Sequence, residues 1–317
     1  MSTDGRPVPG NRVVLRYKLP AGYPRPMTDV IGELVALDPV VVVRAPDGRT
    51  VQVTPDQVLA LKAVGPRPVR TREIRALELT AVDGWPGTEQ AWIDGWLARS
   101  GDGFTRRANA AAPLGTAEEV GDLRVGDTLA RLRNWYAERG QPLTLLLPDR
   151  LGAAPDGWQT SDAVQVMAAD IANLTLPDGE SMVRVDAAPD ERWLSLYRYH
   201  GAALPPSAPA VLGAVRGGRV GFGSLGGPEP LAVTRGVVTG APDGRRWVGL
   251  AAVEVAAEHR RRGLGMLICA EMIRWGADLG ATHAYVQVVA DNAPALNLYR
   301  TLGMVEHHRY RYATAPG

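Results

Sequence analysis

The stretch VEVAAEHRRRGLG at residues 253–265 decides the fold class of the carboxyl-terminal part of this chain. It joins an apolar, strand-like run at 247–255 to a segment at 264–279 whose apolar residues recur at helical spacing. Residues 260–265 therefore place backbone amides, two glycines and three arginines at the start of a helix. The first amides of a helix have no acceptor inside the helix, and glycine permits close approach of a ligand. This turn predicts a binding site for an anion such as phosphate.

A second motif follows at residues 292–303, with the form N-x-x-A-x-x-L-Y-x-x-x-G. The first turn has the form R-x-x-G-x-G, which differs from the glycine patterns of dinucleotide-binding folds and P-loops. The two motifs, together with Val255, resemble those of the GCN5-related N-acetyltransferases (the GNAT superfamily). The resemblance covers roughly residues 176–312. It implies an α+β fold, with a mixed sheet flanked by helices, that binds acetyl-CoA as a cosubstrate.

The resemblance assigns roles to individual positions. Val255 would offer its backbone to the pantetheine amide, the amides of 260–265 would hold the pyrophosphate, and Asn292 would contact the pantetheine arm. The Tyr299 hydroxyl would face the thioester sulfur. The predicted cofactor-binding residues are Val253, Val255, Arg260, Arg261, Arg262, Gly263, Leu264, Gly265 and Asn292.

Two side chains are candidates for the chemistry of acetyl transfer. A departing thiolate benefits from a proton donor, for which Tyr299 is the natural candidate, although a tyrosine in a helix can also pack its ring on the sheet. An attacking amine must lose its proton, and Glu254 is the nearest carboxylate. Strand alternation places the Glu254 side chain on the face opposite Val253 and Val255, unless a β-bulge changes the alternation. The alternative to a catalytic role is an ion pair between Glu254 and an arginine. The position that supplies the base in many family members is Gly249 here.

The remainder of the chain divides into two further segments. Residues 1–67 predict an SH3-like β-barrel. Its strands are expected at 12–19, 30–37, 40–44, 50–53 and 58–64, with a tight turn at Asp47-Gly48. A linker is expected at 65–68. Residues 71–175 predict helices at 74–82, 122–139 and near Trp158, and strands at 90–99, 104–112, 143–147 and 163–168. That element order fits a degenerate GNAT-like domain, as in actinobacterial GNAT proteins with an N-terminal SH3-like domain, some of them histone-acetyltransferase-like. It lacks the R-x-x-G-x-G turn and is assigned no cofactor.

Residues 176–317 form the predicted catalytic GNAT domain. It begins with a strand at 182–187 and helices at 189–199 and 208–216, the latter capped by Ser207. Strands at 219–225, 231–238, 247–255 and 284–289 and helices at 264–279 and 294–302 follow. Acceptor-site walls are expected from the loops after Pro189, at 202–209 and near Gly303. We expect Trp193 and Trp247 to lie in the core or in these walls, and Cys269 to lie in the core. The side chains expected to be exposed to solvent are His307, His308, Arg309 and Arg311.

Composition excludes several classes of protein. The 317 residues carry a formal net charge of +1, with no basic or acidic tract, so nucleic acid is an unlikely partner. No apolar run approaches the ~18 residues that span a bilayer. A single cysteine excludes an intramolecular disulfide and a cysteine-based zinc cage, so no metal is expected. Residues 1–10 lack a signal-peptide pattern, and we expect a cytoplasmic protein.

These observations leave three functions open. The first is transfer of an acetyl group from acetyl-CoA to a primary amine of a small molecule or a protein. The second is a non-catalytic acyl-CoA-binding regulatory protein, favoured by Gly249 and by the middle segment. The third is a nucleic-acid or protein adaptor built on the amino-terminal barrel. The acceptor and the oligomeric state are not specified by the sequence.

Overall fold

The computed structural model describes residues 7–65, 67–179, 181–198 and 202–316. The chain forms two compact units, Met1–Pro68 and Val69–Gly317. The first contains five antiparallel strands in the order β4-β3-β2-β1-β5. Their bounds are β1 Arg12–Lys18, β2 Met27–Ala36, β3 Val41–Arg44, β4 Thr50–Val53 and β5 Val58–Ala63.

The core of the first unit follows from strand alternation. Val13 and Leu15 of β1 and Val41 and Val43 of β3 are buried, while the residues between them are more exposed. The sheet is open in the described residues, because β4 and β5 lie at its two ends and do not pair. Closure into an SH3-like barrel, which the sequence predicts, is therefore not confirmed.

The amino-terminal half of the second unit contains α1 Thr71–Gly84, β6 Glu89–Ile93, β7 Trp96–Ser100, β8 Ala112–Pro113, α2 Thr128–Ala137, β9 Thr144–Pro148, β10 Gln159–Thr160 and β11 Val164–Asp170. The single strand predicted at 90–99 is wrong: Asp94 and Gly95 both have positive φ and turn the chain into a hairpin. The helix predicted near Trp158 is also wrong, because this residue precedes β10 in a turn. Helix α2 is shorter than the predicted 122–139.

The strand predicted at 104–112 is wrong for a local reason. Thr105 has a left-handed φ of 62°, which no strand tolerates. The Asn109 side chain accepts hydrogen bonds from the Gly101 and Gly103 amides and donates to the Phe104 and Thr105 carbonyls. These bonds hold residues 101–109 as a compact loop, and only Ala112–Pro113 pairs as a strand.

The carboxyl-terminal half contains β12 Val183–Asp186, α3 Glu191–Leu196, α4 Ala208–Gly213, β13 Arg219–Gly226, β14 Pro230–Gly240, β15 Arg246–Val255, α5 Leu264–Asp278, β16 His283–Val289, α6 Ala293–Thr301 and β17 Val305–Thr314. Helix α3 is shorter than the predicted 189–199, whose last residue lies outside the described residues. Helix α4 ends at Gly213 instead of 216, and the Ser207 hydroxyl does not cap it.

Nine strands of the second unit form one sheet in the order β10-β17-β11-β16-β15-β14-β13-β12, with β9 paired to β17. Strand β11 lies between β16 and β17, so residues on both sides of the predicted division at 175 share this sheet. Adjacent residues of β15, Trp247 and Val248, belong to different core clusters, one with α1 and one with α5 and α6. The helices therefore cover opposite faces of a mixed sheet, which is an α+β arrangement.

One sequence expectation fails in the core of this unit. His308 was expected in solvent, but it is 5% exposed and its Nε2 lies 2.7 Å from Oε1 of the buried Glu78. This contact joins β17 to α1 and explains why a histidine is tolerated inside. The neighbouring His307 is also partly buried, and burial lowers its pKa to about 3. Trp193, Trp247 and Cys269 are buried, as predicted.

Candidate active site

The sheet opens between β15 and β16. These strands pair in parallel from Trp247–His283 to Leu250–Val286 only, although β15 continues to Val255 and β16 to Val289. Beyond Leu250 their facing edges are unpaired in the described part of the chain. Unpaired strand edges carry free amides and carbonyls, which an extended ligand with amide groups can satisfy.

A β-bulge lies at this opening. Val233 of β14 pairs with Glu254 and Arg235 pairs with Ala251, so two residues of β15 stand opposite one of β14. Ala252, in the bulge, has a φ of 53°. Ala251 and Ala252 consequently pack against the same cluster, on the α1 side, and the alternation of the strand changes there.

The turn after β15 has the geometry of an anion site. Gly263 is the N-cap of α5 with a φ of 81°, and the first backbone bond of the helix runs from the Leu267 amide to the Gly263 carbonyl (3.0 Å). The amides of Leu264, Gly265 and Met266 precede that bond and have no acceptor within the helix. A Cβ at Gly263 would meet no atom within 4 Å, so the turn faces open space.

Two of the predicted site residues form an ion pair beside this turn. Arg260 donates from Nη2 to Glu254 Oε1 (2.8 Å) and from Nε to the Val255 carbonyl (3.2 Å). Arg261 and Arg262 are exposed in the same turn. The Glu254 carboxylate is thus paired with an arginine, the alternative that the sequence left open. Its part in catalysis stays a prediction.

Gly249 is explained by the strand beside it. It pairs with Tyr285 of β16, and a Cβ at Gly249 would lie 2.3 Å from the Tyr285 Cζ. The tyrosine ring thus occupies the room that a side chain at residue 249 would need. Burial raises the pKa of Tyr285 to about 12, so its hydroxyl stays protonated at neutral pH. Sequence reasoning did not identify Tyr285.

Tyr299 lies in the core below the opening. It is 5% exposed and belongs to the same cluster as Leu250 and Val286, the last paired residues of β15 and β16. Burial, with a smaller effect of the adjacent Cys269 thiol, raises the pKa of Tyr299 well above its usual value. The hydroxyl therefore keeps its proton at neutral pH, as a proton donor must.

Asn292 has a structural role that does not depend on a ligand. It is the N-cap of α6, and its Oδ1 accepts a hydrogen bond from the Ala295 amide (3.1 Å). Such a cap stabilises a helix by roughly 0.5–2 kcal/mol. The predicted contact of Asn292 with the pantetheine arm stays a prediction.

A cavity of about 660 Å³ begins at the open strand ends. Ala251, Ala252, Gln287 and Val289 line it from β15 and β16. Its aromatic walls are Trp85, Tyr197, Tyr310 and Tyr312. Its polar lining residues are Thr105, Arg106, Arg107, Ser161, Asp162 and Gln287. These residues come from both halves of the unit, and no contiguous motif could have revealed them.

The expected acceptor walls are placed only in part. Residues 202–206 and Pro209 line a second cavity of about 360 Å³, and Tyr197 lines both cavities. The loop at Gly303 instead lies beside Asn173 and lines neither cavity. Within the described ranges, no three histidine, cysteine or acidic side chains form a group that could hold a metal ion. No helix there has the length and apolar character to cross a membrane.

Comparison with known proteins identifies the family. The family model "Probable histone acetyltransferase Rv0428c C-terminal" matches residues 71–313, and "Rv0428c N-terminal Sm-like domain" matches residues 7–62. "Probable histone acetyltransferase Rv0428c" of Mycobacterium tuberculosis is 39% identical over 307 residues, covering 96% of this chain and 95% of the relative.

More distant relatives agree with this fold and activity. "Uncharacterized N-acetyltransferase YobR" of Bacillus subtilis is 23% identical over 269 residues, which cover 75% of this chain and 98% of that protein. A solved structure, "GCN5-related N-acetyltransferase from Kribbella flavida", superposes with a TM-score of 0.56 and 18% identity, covering 77% of this chain and 96% of that one. The chain therefore belongs to the Rv0428c family of GNAT-superfamily acetyltransferases, which carry an Sm-like domain at the amino terminus.

Proposed function

We propose that this protein is an acetyl-CoA-dependent N-acetyltransferase that transfers the acetyl group to a primary amine by direct attack of the amine on the thioester. The observation that carries the proposal is the succession of two binding features along one strand. Strand β15 first loses its pairing with β16 after Leu250 and then runs into the open turn at Gly263. An elongated ligand with amides at one end and phosphates at the other matches this order.

The residues present fit acetyl-CoA. The amides of Leu264, Gly265 and Met266 would hold the pyrophosphate at the positive end of α5, where an anion is favoured. The exposed Arg261 and Arg262 add positive charge to the same turn. The unpaired edge of 251–255, which includes Val253 and Val255, would bond the pantetheine amides. We assign Glu254 to hold Arg260 in place through their ion pair.

The transfer step uses side chains on either side of the opening. The amine nitrogen forms a bond to the acetyl carbon, and the bond from that carbon to sulfur breaks with its electron pair on sulfur. Tyr299, kept protonated by burial, is the residue we assign to protonate the sulfur, and the proton that the tetrahedral adduct loses from nitrogen restores the tyrosine hydroxyl. An unpaired amide of 251–255 would stabilise negative charge on the acetyl oxygen.

The amine must release a proton as it attacks. An unperturbed lysine amine, with a pKa near 10.4, is only about one part in 10³ neutral at pH 7. Among the cavity-lining side chains of the described residues, Asp162 supplies the one carboxylate, and it is exposed. We assign Asp162 to pass this proton to water. The room at Gly249, where many family members carry the base, is filled by Tyr285.

The test combines binding with turnover. We expect calorimetry to show acetyl-CoA binding to the full chain, and a thiol-detecting assay to show CoA release with at least one class of amine. Acetyl-CoA binding without release across small amines, amino acids and peptides would favour the non-catalytic alternative. Absence of binding would contradict the proposal altogether.

A further inference from the structure

The loop that carries Arg106 and Arg107 is held rigidly at the cavity wall. Asn109 makes four hydrogen bonds across it, and the Thr105 hydroxyl accepts from the Trp85 indole (3.1 Å) and the Ala108 amide (3.3 Å). Thr105 is β-branched and yet left-handed, a strained conformation that persists only where the surroundings enforce it. The fold thus fixes the direction of the two arginines.

Arg107 has an unfilled hydrogen-bonding position. Its guanidinium lies 5.0 Å from the centre of the Trp85 ring, and it shares a side-chain hydrogen bond with Tyr310. Its Nε is shielded from solvent and has no hydrogen-bond partner among the described residues. A buried donor without an acceptor is costly, and it is costlier when the group is charged.

A second buried cation stands behind the same tryptophan. The Arg235 guanidinium lies 4.4 Å from the Trp85 ring centre, and it donates to the carbonyls of Leu212, Gly84 and Ala214. Neither Arg107 nor Arg235 forms an ion pair within the described ranges. Asp162 is the one carboxylate among the described cavity-lining residues, and it is exposed to water. The cavity wall at Arg107 therefore carries positive charge that no carboxylate of the described residues pairs with.

We propose that the acceptor is an amine that also carries a carboxylate on an aromatic or otherwise apolar body, and that Arg107 binds that carboxylate. This inference rests on the proposed function and names the substrate class of the same site. A guanidinium offers planar, forked donors that match a carboxylate, and the bound anion would offset one of the two positive charges of Arg107 and Arg235.

The other cavity walls set the shape of the acceptor. Trp85, Tyr197, Tyr310 and Tyr312 give it aromatic sides, which suit an apolar or aromatic body. Ala251 and Ala252 also line the cavity and belong to the strand edge where the thioester is proposed to lie. An acceptor with its carboxylate on Arg107 thus directs its amine toward β15. A lysine-rich peptide would bring further positive charge to this wall and is disfavoured.

The test compares an amine that carries a carboxylate with the corresponding carboxamide. The probes are 4-(aminomethyl)benzoate and 4-(aminomethyl)benzamide, in which the ring separates the amine from the altered group, and both are used in the CoA-release assay. A hydrogen bond to a charged group contributes enough to discriminate by about 10-fold or more. We expect kcat/KM for a carboxylate probe to exceed that of its amide by at least about 10-fold. In Arg107→Gln this ratio should fall toward unity, and Arg107→Lys should retain part of it.

Arg139→Gln is the matched control. Arg139 stacks on Trp135 at 3.8 Å, as Arg107 does on Trp85, but it does not line the cavity. Its substitution should leave the ratio unchanged. If Arg107→Gln fails to fold, competitive inhibition of the wild-type protein decides: 3-phenylpropionate should inhibit at least about 10-fold better than 3-phenylpropionamide.

The outcomes separate this inference from the proposed function. CoA release that is equal for the carboxylate and amide probes, or fastest with a lysine-rich peptide, would overturn the carboxylate inference and leave the acetyltransferase proposal standing. An unchanged ratio in folded Arg107→Gln would remove Arg107 from acceptor binding. Acetyl-CoA binding without release for any amine would overturn both.

Discussion

The larger unit holds positive charge in two regions that differ in almost every respect. In the turn at 260–265, three arginines are consecutive in sequence and largely exposed, and the one ion pair there, Arg260 with Glu254, is partly open to water. Arg107, which lines the cavity, and Arg235 are distant in sequence and both stack on Trp85; Arg235 is buried and Arg107 is partly buried. Exposed charges contribute little to stability and are screened by salt, whereas buried charges without a partner are costly.

This difference separates two kinds of recognition. The exposed turn suits a ligand that brings several negative charges and remains solvated, such as a pyrophosphate. The buried arginine suits a single carboxylate held in one orientation. Under the proposed function, the turn would determine affinity for acetyl-CoA, and the cavity would determine which amine is accepted. Substitutions in the turn should change acetyl-CoA affinity, whereas substitutions in the cavity should change kcat/KM for the amine.

The largest effect is expected at the turn. In Gly263→Glu a side chain would enter the open space at the start of α5 and bring negative charge to the pyrophosphate position. We expect acetyl-CoA affinity, measured by calorimetry, to fall by at least about 100-fold. Gly244→Glu is the control: Gly244 has a similar φ of 84° and equally open surroundings, so it carries the backbone strain alone. Unchanged affinity in folded Gly263→Glu would refute the site assignment.

A smaller effect, confined to rate, is expected from Tyr299→Phe. The substitution keeps the ring in the core and removes the hydroxyl, which is the proposed proton donor and also forms a hydrogen bond with the Cys269 thiol. A proton donor contributes about 10²–10⁴-fold in typical enzymes. Because a thiolate is a tolerable leaving group, we expect kcat to fall by at least about 30-fold, with little change in acetyl-CoA affinity.

Tyr136→Phe controls for the loss of a buried hydroxyl. Tyr136 is fully buried, and its hydroxyl bonds the Arg99 backbone, away from the opening. The Tyr136→Phe protein should be less stable than the parent and should keep its kcat. A Tyr299→Phe protein within about threefold of the parent kcat would remove Tyr299 from the mechanism.

The smallest effect is expected from Glu254→Gln. The Glu254 side chain pairs with Arg260 and does not line the cavity, and partly exposed pairs contribute about 0–1 kcal/mol. We expect kcat to change by less than about threefold. A loss of about 100-fold or more would instead identify Glu254 as the general base. Steady-state kinetics with the best acceptor distinguish these results.

The fold of the carboxyl-terminal part and the geometry of the turn at 260–265 could be predicted because their sequence signals are contiguous. One continuous stretch of sequence contains the strand, the turn at 260–265 and the helix that follows it. Asn292, a residue type that is preferred at N-caps, marks the start of α6. The GNAT resemblance that rests on these residues is confirmed by the family match.

The proposed acceptor cavity was not predictable for physical reasons. Its walls are assembled from Trp85 after α1, Tyr197 after α3, two loops, and β11, β15, β16 and β17, which meet only in the folded chain. The left-handed Thr105 and the bonds of Asn109 override the strand propensity of 104–112. His308 was expected in solvent because its partner, Glu78, is 230 residues away. The sequence suggested that Gly249 reflects a missing catalytic base. The structure shows that the Tyr285 ring occupies the space that a side chain at residue 249 would need.

The most direct test of the account maps bound acetyl-CoA onto the backbone. In a ¹⁵N-labelled protein titrated with acetyl-CoA, we predict that amide resonances of Leu264, Gly265 and Met266 and of residues 251–255 shift together. Those of the amino-terminal unit, residues 7–65, should not move. Saturable binding by calorimetry that leaves the amides of both segments unperturbed would contradict the claim that the cosubstrate lies across the open end of β15 and β16.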